Sequence, residues 1–412
     1  MRVRILLIVV VVVCKGLMAQ ENVLDSLFNQ LPVNLKKFIE DPNKYRFQCI
    51  YTKIDYDADS RPLFRDYYFN YSDTVYNYPA SMVKLPASVV ALKKLELLNN
   101  SEVDWESPVL MDSLHCQKRV KSDSIGRPYY PHLKKWIKRM LILSDNNAYT
   151  RVYDFENCRT LHECLKDWGF TQSQIKNKFV TKCQKDSLYF TPTVYILNQS
   201  GDTIYIQYAD YKCHFDSLYK NYSVGYTIRM EKRGKRIVRQ RVPKSFANHN
   251  DWPLAYSHQL MKYLIFDDDL KVLNLNKLYK DSLIRYLGSY PREYSELEVD
   301  TNDYYDTWKK FFIYGAKYNR VKADTLRNIN IIGRAYGFLS ETAYIVDFKN
   351  NVDFLLSATI YVNPNEIMDG KYNYEEAYEL FYHISRLIYE YEKQFSKTVN
   401  KFRYYENLFQ KQ

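Results

Sequence analysis

Ser81-Met82-Val83-Lys84 sets a hydroxyl and an amine three residues apart. On a helix, such a pair shares one face. A serine hydroxyl is a weak nucleophile until a nearby base takes its proton. A lysine shielded from water has a lowered pKa and can be that base. At the start of a helix, the Ser81 N–H is also free to help hold an oxyanion. The chemistry this spacing predicts is acyl transfer through Ser81. The same spacing recurs at Ser173–Lys176 and Ser217–Lys220, where a surface or capping serine is the plainer reading. Ser81 differs in context, because two strand-like segments and Pro79 precede it and a long apolar helix follows.

A second group, Ser144-Asp145-Asn146, follows the apolar run Met140 to Leu143 and precedes another helical segment. Ser, Asp and Asn are favoured helix caps, so taken alone this is a capping turn. Such a turn can also point a hydroxyl and a carboxamide into a cleft. Ser144 can then relay a proton to a leaving group, while Asn146 holds a substrate amide and contacts Lys84.

Ser-x-x-Lys followed by Ser-Asp-Asn resembles the signature of class A β-lactamases and penicillin-binding proteins. The flanks Tyr78-Pro79-Ala80 and Leu85-Pro86 are similar too, and Ser144 lies 63 residues after Ser81. The resemblance covers roughly residues 22–170 and 250–395. It implies a β-lactamase-like serine hydrolase with Ser81 as nucleophile, Lys84 as base, Ser144 as proton relay and Asn146 orienting substrate, with no metal or organic cofactor. The substrate implied is a small-molecule β-lactam or a cell-wall peptide.

Two parts of the pattern depart. The family's Lys-Thr-Gly strand corresponds to Asn330-Ile331-Ile332-Gly333-Arg334-Ala335-Tyr336-Gly337. Gly333 fits the glycine, but Ile331 stands at the lysine. Arg334 is expected to supply charge nearby, Tyr336 to line the cleft, and a backbone N–H at 334–336 to complete the oxyanion hole. The family's deacylating glutamate has no counterpart either. Glu156 and Glu163 fall in apparent helix, and Asp186 has no supporting motif. These departures favour acylation over fast turnover and leave a rival: a non-catalytic or slow penicillin-binding-like protein that holds cell-wall peptide or another envelope partner.

The elements that must position these residues follow from periodicity. Helices are predicted over 25–40, Ser81–Leu98, 130–143, 254–266, 272–288, 302–314 and Tyr374–Tyr391. Strands are predicted over Tyr45–Tyr56, Pro62–Tyr71, Asn330–Phe338, Ala343–Phe348 and Phe354–Val362. Residues 183–245 read as a β-rich insertion, and Lys393–Gln412 as a polar tail. The fold class expected is α/β: a five-stranded, largely antiparallel sheet flanked by terminal helices, with an inserted helical region.

Residues 1–19 read as an export signal, with Arg2 and Arg4, an apolar run Ile5–Cys14, and Ala19 at the cleavage point. Residues 20–412 then form the hydrolase domain, exported to the periplasm or secreted. Cys14 as a lipidated cysteine fits less well, because bulky Val13 precedes it. Removing Arg2, Arg4 and Lys15 lowers the net charge from +11 to +8. Nothing reads as nucleic-acid binding. The densest basic run, 229–244, is predicted to be a hairpin, solvated or touching anionic envelope polymers. Cys49, Cys116, Cys158, Cys164, Cys183 and Cys213 allow 15 pairings in an oxidising compartment. No GxSxG, HExxH, GxxxxGK or GxGxxG motif is present, and no zinc-ligand spacing. A monomer is expected.

Overall fold

A computed structural model describes residues 22–114, 118–120, 131–179, 190–210, 215, 220–233, 236–297, 299–300, 302–316, 321, 325–395, 397 and 401–410. The expected signal 1–19, Cys116, Cys183, Cys213, Asp186 and Ser217 lie outside these residues.

The chain opens with helices α1 (Val23–Phe28) and α2 (Val33–Glu40), then strands β1 (Gln48–Tyr56) and β2 (Pro62–Phe69). A single helix was expected over 25–40. Pro32 divides it, because proline lacks an N–H and pushes the residue before it out of helical geometry. A short 3-10 turn, Ala80–Val83, runs into helix α3 (Lys84–Leu97). Strand β3 (Val109–Met111) and helices α4 (Leu133–Leu143), α5 (Asn146–Glu156) and α6 (Cys158–Asp167) complete the first helical region.

Strands β4 (Val194–Leu197), β5 (Thr203–Gln207), β6 (Ser223–Arg233) and β7 (Arg236–Ser245) follow. The β-rich segment is therefore two hairpins, not one unit. β4 and β5 join β3 in a three-stranded sheet, while β6 and β7 form a two-stranded sheet bridged at Tyr226 to Ile367.

Helices α7 (Leu254–Ile265), α8 (Asp267–Leu270) and α9 (Lys277–Gly288) come next. The helix expected over 302–314 is reduced to the turn α10 (Phe311–Tyr314), broken internally at Phe312 and Ile313. Its aromatic residues are buried in the core: Phe311 stacks on Tyr378 at 4.1 Å and Phe312 meets Phe381 at 5.1 Å.

Strands β8 (Leu326–Ala335), β9 (Phe338–Asp347) and β10 (Val352–Tyr361) precede helix α11 (Tyr374–Glu392). The strand expected over Asn330–Phe338 runs across a hairpin. Tyr336 and Gly337, both at positive φ (55° and 83°), form its two-residue turn, as a type I′ turn requires. The expected polar tail contains helix α12 (Lys401–Gln410), whose Phe402, Tyr405 and Phe409 are buried on one face.

The main sheet is antiparallel throughout, in the order β2-β1-β10-β9-β8. Side chains alternate between its faces, as a period of two demands. Phe354, Leu356, Ala358 and Ile360 join α1, α2 and α11 in one core. Leu355, Tyr344 and Val346 join α3–α6, α7, α9 and α12 in the other. The sheet is thus a middle layer, and β8 is its edge beside the helical region. Among the described residues, no helix is long and apolar enough to cross a membrane.

Candidate active site

Ser81 lies in the 3-10 turn that feeds α3, and Lys84 begins the helix proper. The sequence favours this junction, because the residues after Lys84 are almost all buried and anchor α3 in the core. The Lys84 side chain is itself fully buried. As the second residue of its helical turn, Ser81 has an N–H without a partner in the turn.

Helix α4 ends at Ser144, which takes a left-handed conformation (φ 60°) that non-glycine residues adopt rarely. Asp145 does what a capping residue does: its Oδ1 accepts from the N–H groups of Asn147 (2.8 Å) and Ala148 (3.1 Å). Its other oxygen accepts from Arg139 Nε at 2.9 Å. With Asp145 capping α5, Ser144 and Asn146 are turned toward Lys84.

Lys84 Nζ donates to the Ser144 carbonyl (2.6 Å), Ser144 Oγ (2.9 Å) and Asn146 Oδ1 (2.8 Å). Ser144 Oγ donates to Ser81 Oγ at 3.2 Å. The expected amine–serine pair is therefore bridged. Among the described residues Lys84 makes no hydrogen bond to Ser81 and reaches it through the Ser144 hydroxyl. Burial pushes the Lys84 amine well below an ordinary lysine value. The nearby Lys309 ammonium adds to that, and Asp145 opposes it.

Strand β8 closes the site from the other side. Gly333 lies so near the serine turn that a Cβ there would stand 2.0 Å from the Pro79 carbonyl oxygen. Ala335 pairs with Phe338 across the two-residue turn, so its N–H points to β9. By alternation the Arg334 N–H points to the free edge, toward the serine. Ile331 is buried in the helical-region core, which explains how an apolar residue fits at the expected lysine position.

A cleft of about 380 Å³ joins these parts. Ser81, Ser144 and Asn146 form one wall, and Ile332 and Arg334 the strand side. Tyr305, Trp308, Lys309, Phe311 and Ala316 form the third, with Glu375 and Tyr378 from α11 at the rim. The Arg334 guanidinium donates to Tyr378 Oη and lies 5.5 Å from the Tyr374 ring centre.

Tyr336 is not among the lining residues. Its turn carries the ring onto an outer aromatic cluster, 5.4 Å from Tyr78 and 5.5 Å from Phe246. The expectation that it lines the cleft is corrected accordingly. The Ser173–Lys176 pair is also elsewhere: Ser173 Oγ caps the Phe170 carbonyl (2.8 Å) and Lys176 Nζ donates to that of Ala247 (2.8 Å). His258 on α7 contacts the Thr52 and Ser357 hydroxyls of the sheet, but all three are buried and none lines the cleft.

Lys309 and the aromatic wall were missed by sequence reasoning. The signal was Trp308-Lys309-Lys310-Phe311-Phe312, two lysines inside an aromatic run, read there as ordinary helix.

This arrangement defines a class: a buried lysine and a hydroxyl bridge behind a helix-borne serine, facing an edge strand with free backbone donors. Residues 61–224 match the Beta-lactamase enzyme family, a segment that includes Ser81, Lys84, Ser144 and Asn146 and ends before β8. No curated protein matches. Among solved structures, the β-lactamase of Sphaerobacter thermophilus DSM 20745 is similar at 9% identity and TM-score 0.47, over 88% of this chain and 98% of that one. PBP-A is similar at 12% identity and TM-score 0.46, over 88% and 97%. The chromosome-encoded β-lactamase of Vibrio parahaemolyticus is similar at 11% identity and TM-score 0.45, over 87% and 98%.

Proposed function

We propose that this protein is an exported active-site-serine hydrolase of the β-lactamase type, acylated at Ser81 by a β-lactam or a peptide-like amide. The observation that carries this is the chain Ser81 Oγ, Ser144 Oγ, Lys84 Nζ, with links of 3.2 and 2.9 Å. With Lys84 in its neutral form, the Ser81 proton moves to Ser144 as the Ser144 proton moves to Lys84. Ser81 Oγ bonds to the carbonyl carbon, and the oxyanion accepts from the N–H groups of Ser81 and Arg334. As the C–N bond breaks, Ser144 returns a proton to the leaving nitrogen and is reprotonated by Lys84. Asn146 orients the substrate amide.

Slow turnover is the second reading, and one feature favours it. The Phe179 ring stands 5.6 Å from Lys84 Nζ. Glu156 is buried without a hydrogen-bond partner for either oxygen, and Glu163 is exposed on α6. Neither lines the cleft. Among the described residues no carboxylate lines the Ser144 wall of the cleft to activate a deacylating water.

Contact with anionic envelope polymers through the β6–β7 hairpin belongs to the same proposal. It is supported by exposed Arg229, Lys232, Arg239 and Arg241. Rates with a chromogenic β-lactam, an ester and a peptide, for wild type and Ser81→Ala, test the main reading. A fast burst followed by a slow Ser81-dependent phase is expected. Equal rates in both proteins would reject it.

A further inference from the structure

Two lysines meet at one helix end. Lys84 Nζ donates to the Ser144 carbonyl at 2.6 Å, and Lys309 Nζ donates to the Leu141 carbonyl at 2.7 Å. These carbonyls are three residues apart at the C-terminus of α4, where unpaired carbonyls and the helix dipole favour positive charge. Lys309 is buried, and Leu141 O is its one side-chain hydrogen-bond acceptor among the described residues. It lines the cleft with Ser81.

Its placement is built in. The Lys309 backbone is held at φ 63°, a strained value for a side chain of this kind. Asn330 Nδ2 donates to the Lys309 carbonyl at 2.6 Å. The same amide donates to Glu341 Oε1 at 2.6 Å, and Phe312 N–H donates to Glu341 Oε2 at 3.0 Å. Neighbouring Lys310 is tied to Leu287 O, Asn328 O and Asn330 Oδ1. A buried polar frame thus fixes a cation against the active site, while the strand position where the resemblance implies a lysine holds buried Ile331.

We propose that Lys309 is the positioning cation of this site, seated on the same helix end as Lys84 and acting on that amine across it. The charged groups facing Lys84 are Lys309 from the 302–310 segment and Asp145 from the α4–α5 junction. Lys309 in turn faces Glu341 on β9, and Lys310 is its neighbour on the other side. Arg334 and Glu375 line the outer cleft. Burial brings Lys309 down to about 7, with Glu341 resisting. Lys84 thus senses the Lys309 charge across the shared helix end.

The inference rests on the proposed reaction for its purpose, so its test has a readout that needs no reaction. Protein carrying ε-13C lysine is titrated by NMR, with Lys84→Arg and Lys309→Arg identifying the two signals. In Lys309→Met, which keeps the bulk and removes the charge, the Lys84 midpoint is expected to rise by roughly one pH unit. In Lys309→Arg it is expected to stay low, and in Lys84→Met the Lys309 midpoint is expected to rise reciprocally. Where a fluorescent penicillin acylates the protein, the acid limb of the rate profile in Lys309→Met should move up by the same interval. An unmoved Lys84 midpoint in folded Lys309→Met overturns the proposal, whatever the penicillin does. A moved midpoint in a protein that no penicillin labels upholds the coupling and rejects the proposed reaction alone.

Discussion

Ser144 carries more of the site than its place in a three-residue motif conveys. Its carbonyl and hydroxyl both accept from Lys84, and its hydroxyl joins Lys84 to Ser81. Ser144→Ala and Ser144→Gly should each slow acylation by about 10²–10⁴-fold, the usual worth of a positioned proton carrier. Glycine also relieves the left-handed backbone at this position. Ser144→Gly is therefore expected to be at least as stable as Ser144→Ala in thermal melts, yet no more active. Wild-type labelling rates in the glycine variant would show that the proton takes another route. Ser81, Lys84, Ser144 and Asn146 were legible in the sequence only because Ser-x-x-Lys and Ser-Asp-Asn together resemble a family signature; by spacing and capping preference alone each reads as a surface or capping residue. Lys309 was not, because its position depends on Asn330 and Glu341 in strands that follow it in the chain.

At the scale of elements, the proposed acylation depends on how closely β8 approaches the serine turn. Gly333 permits that approach, since a Cβ would press on Pro79 O at 2.0 Å and Met82 Cγ at 2.9 Å. Gly333→Ala should force the strand and the turn apart. The expected cost is about 1–3 kcal/mol of stability, typical of overpacking, with a loss of acylation larger than that cost explains. Urea melts and labelling rates on the same variant check both halves. The five main strands were legible, the last three as short apolar runs buried on both faces, and most helices from their period of 3.6. The failures have physical causes: Pro32 splits a helix, Tyr336-Gly337 turns a strand, and buried Lys309 and Lys310 hold 302–310 out of helical geometry. Helix α12 was read as tail because Phe402, Tyr405 and Phe409, spaced among polar residues, matter only once the core they enter exists.

For the whole molecule, acid stability has an identifiable contributor. His162 Nδ1 pairs with the Cys158 carbonyl at 2.8 Å, and Nε2 accepts from the Ile175 N–H at 3.1 Å. That arrangement needs a neutral ring. Burial lowers its pKa to about 4. Because the folded value is depressed below the unfolded one, the stabilisation is present above about pH 6.5 and is lost as pH falls toward 4. The loss is about 3 kcal/mol. Denaturant melts across this window should slope downward with acid, and His162→Gln should flatten the slope. An unchanged slope would assign the acid sensitivity elsewhere. Cys158, at the start of the same helix, is disulfide-bonded, while Cys49 and Cys164 are buried free thiols.

The central claim is that Ser81 is an acylatable nucleophile, and intact-mass spectrometry after exposure to a fluorescent penicillin tests it most directly. One adduct per chain on the wild type, and none on Ser81→Ala, is the expected result. An unlabelled wild type, or an equal adduct on Ser81→Ala, would contradict it.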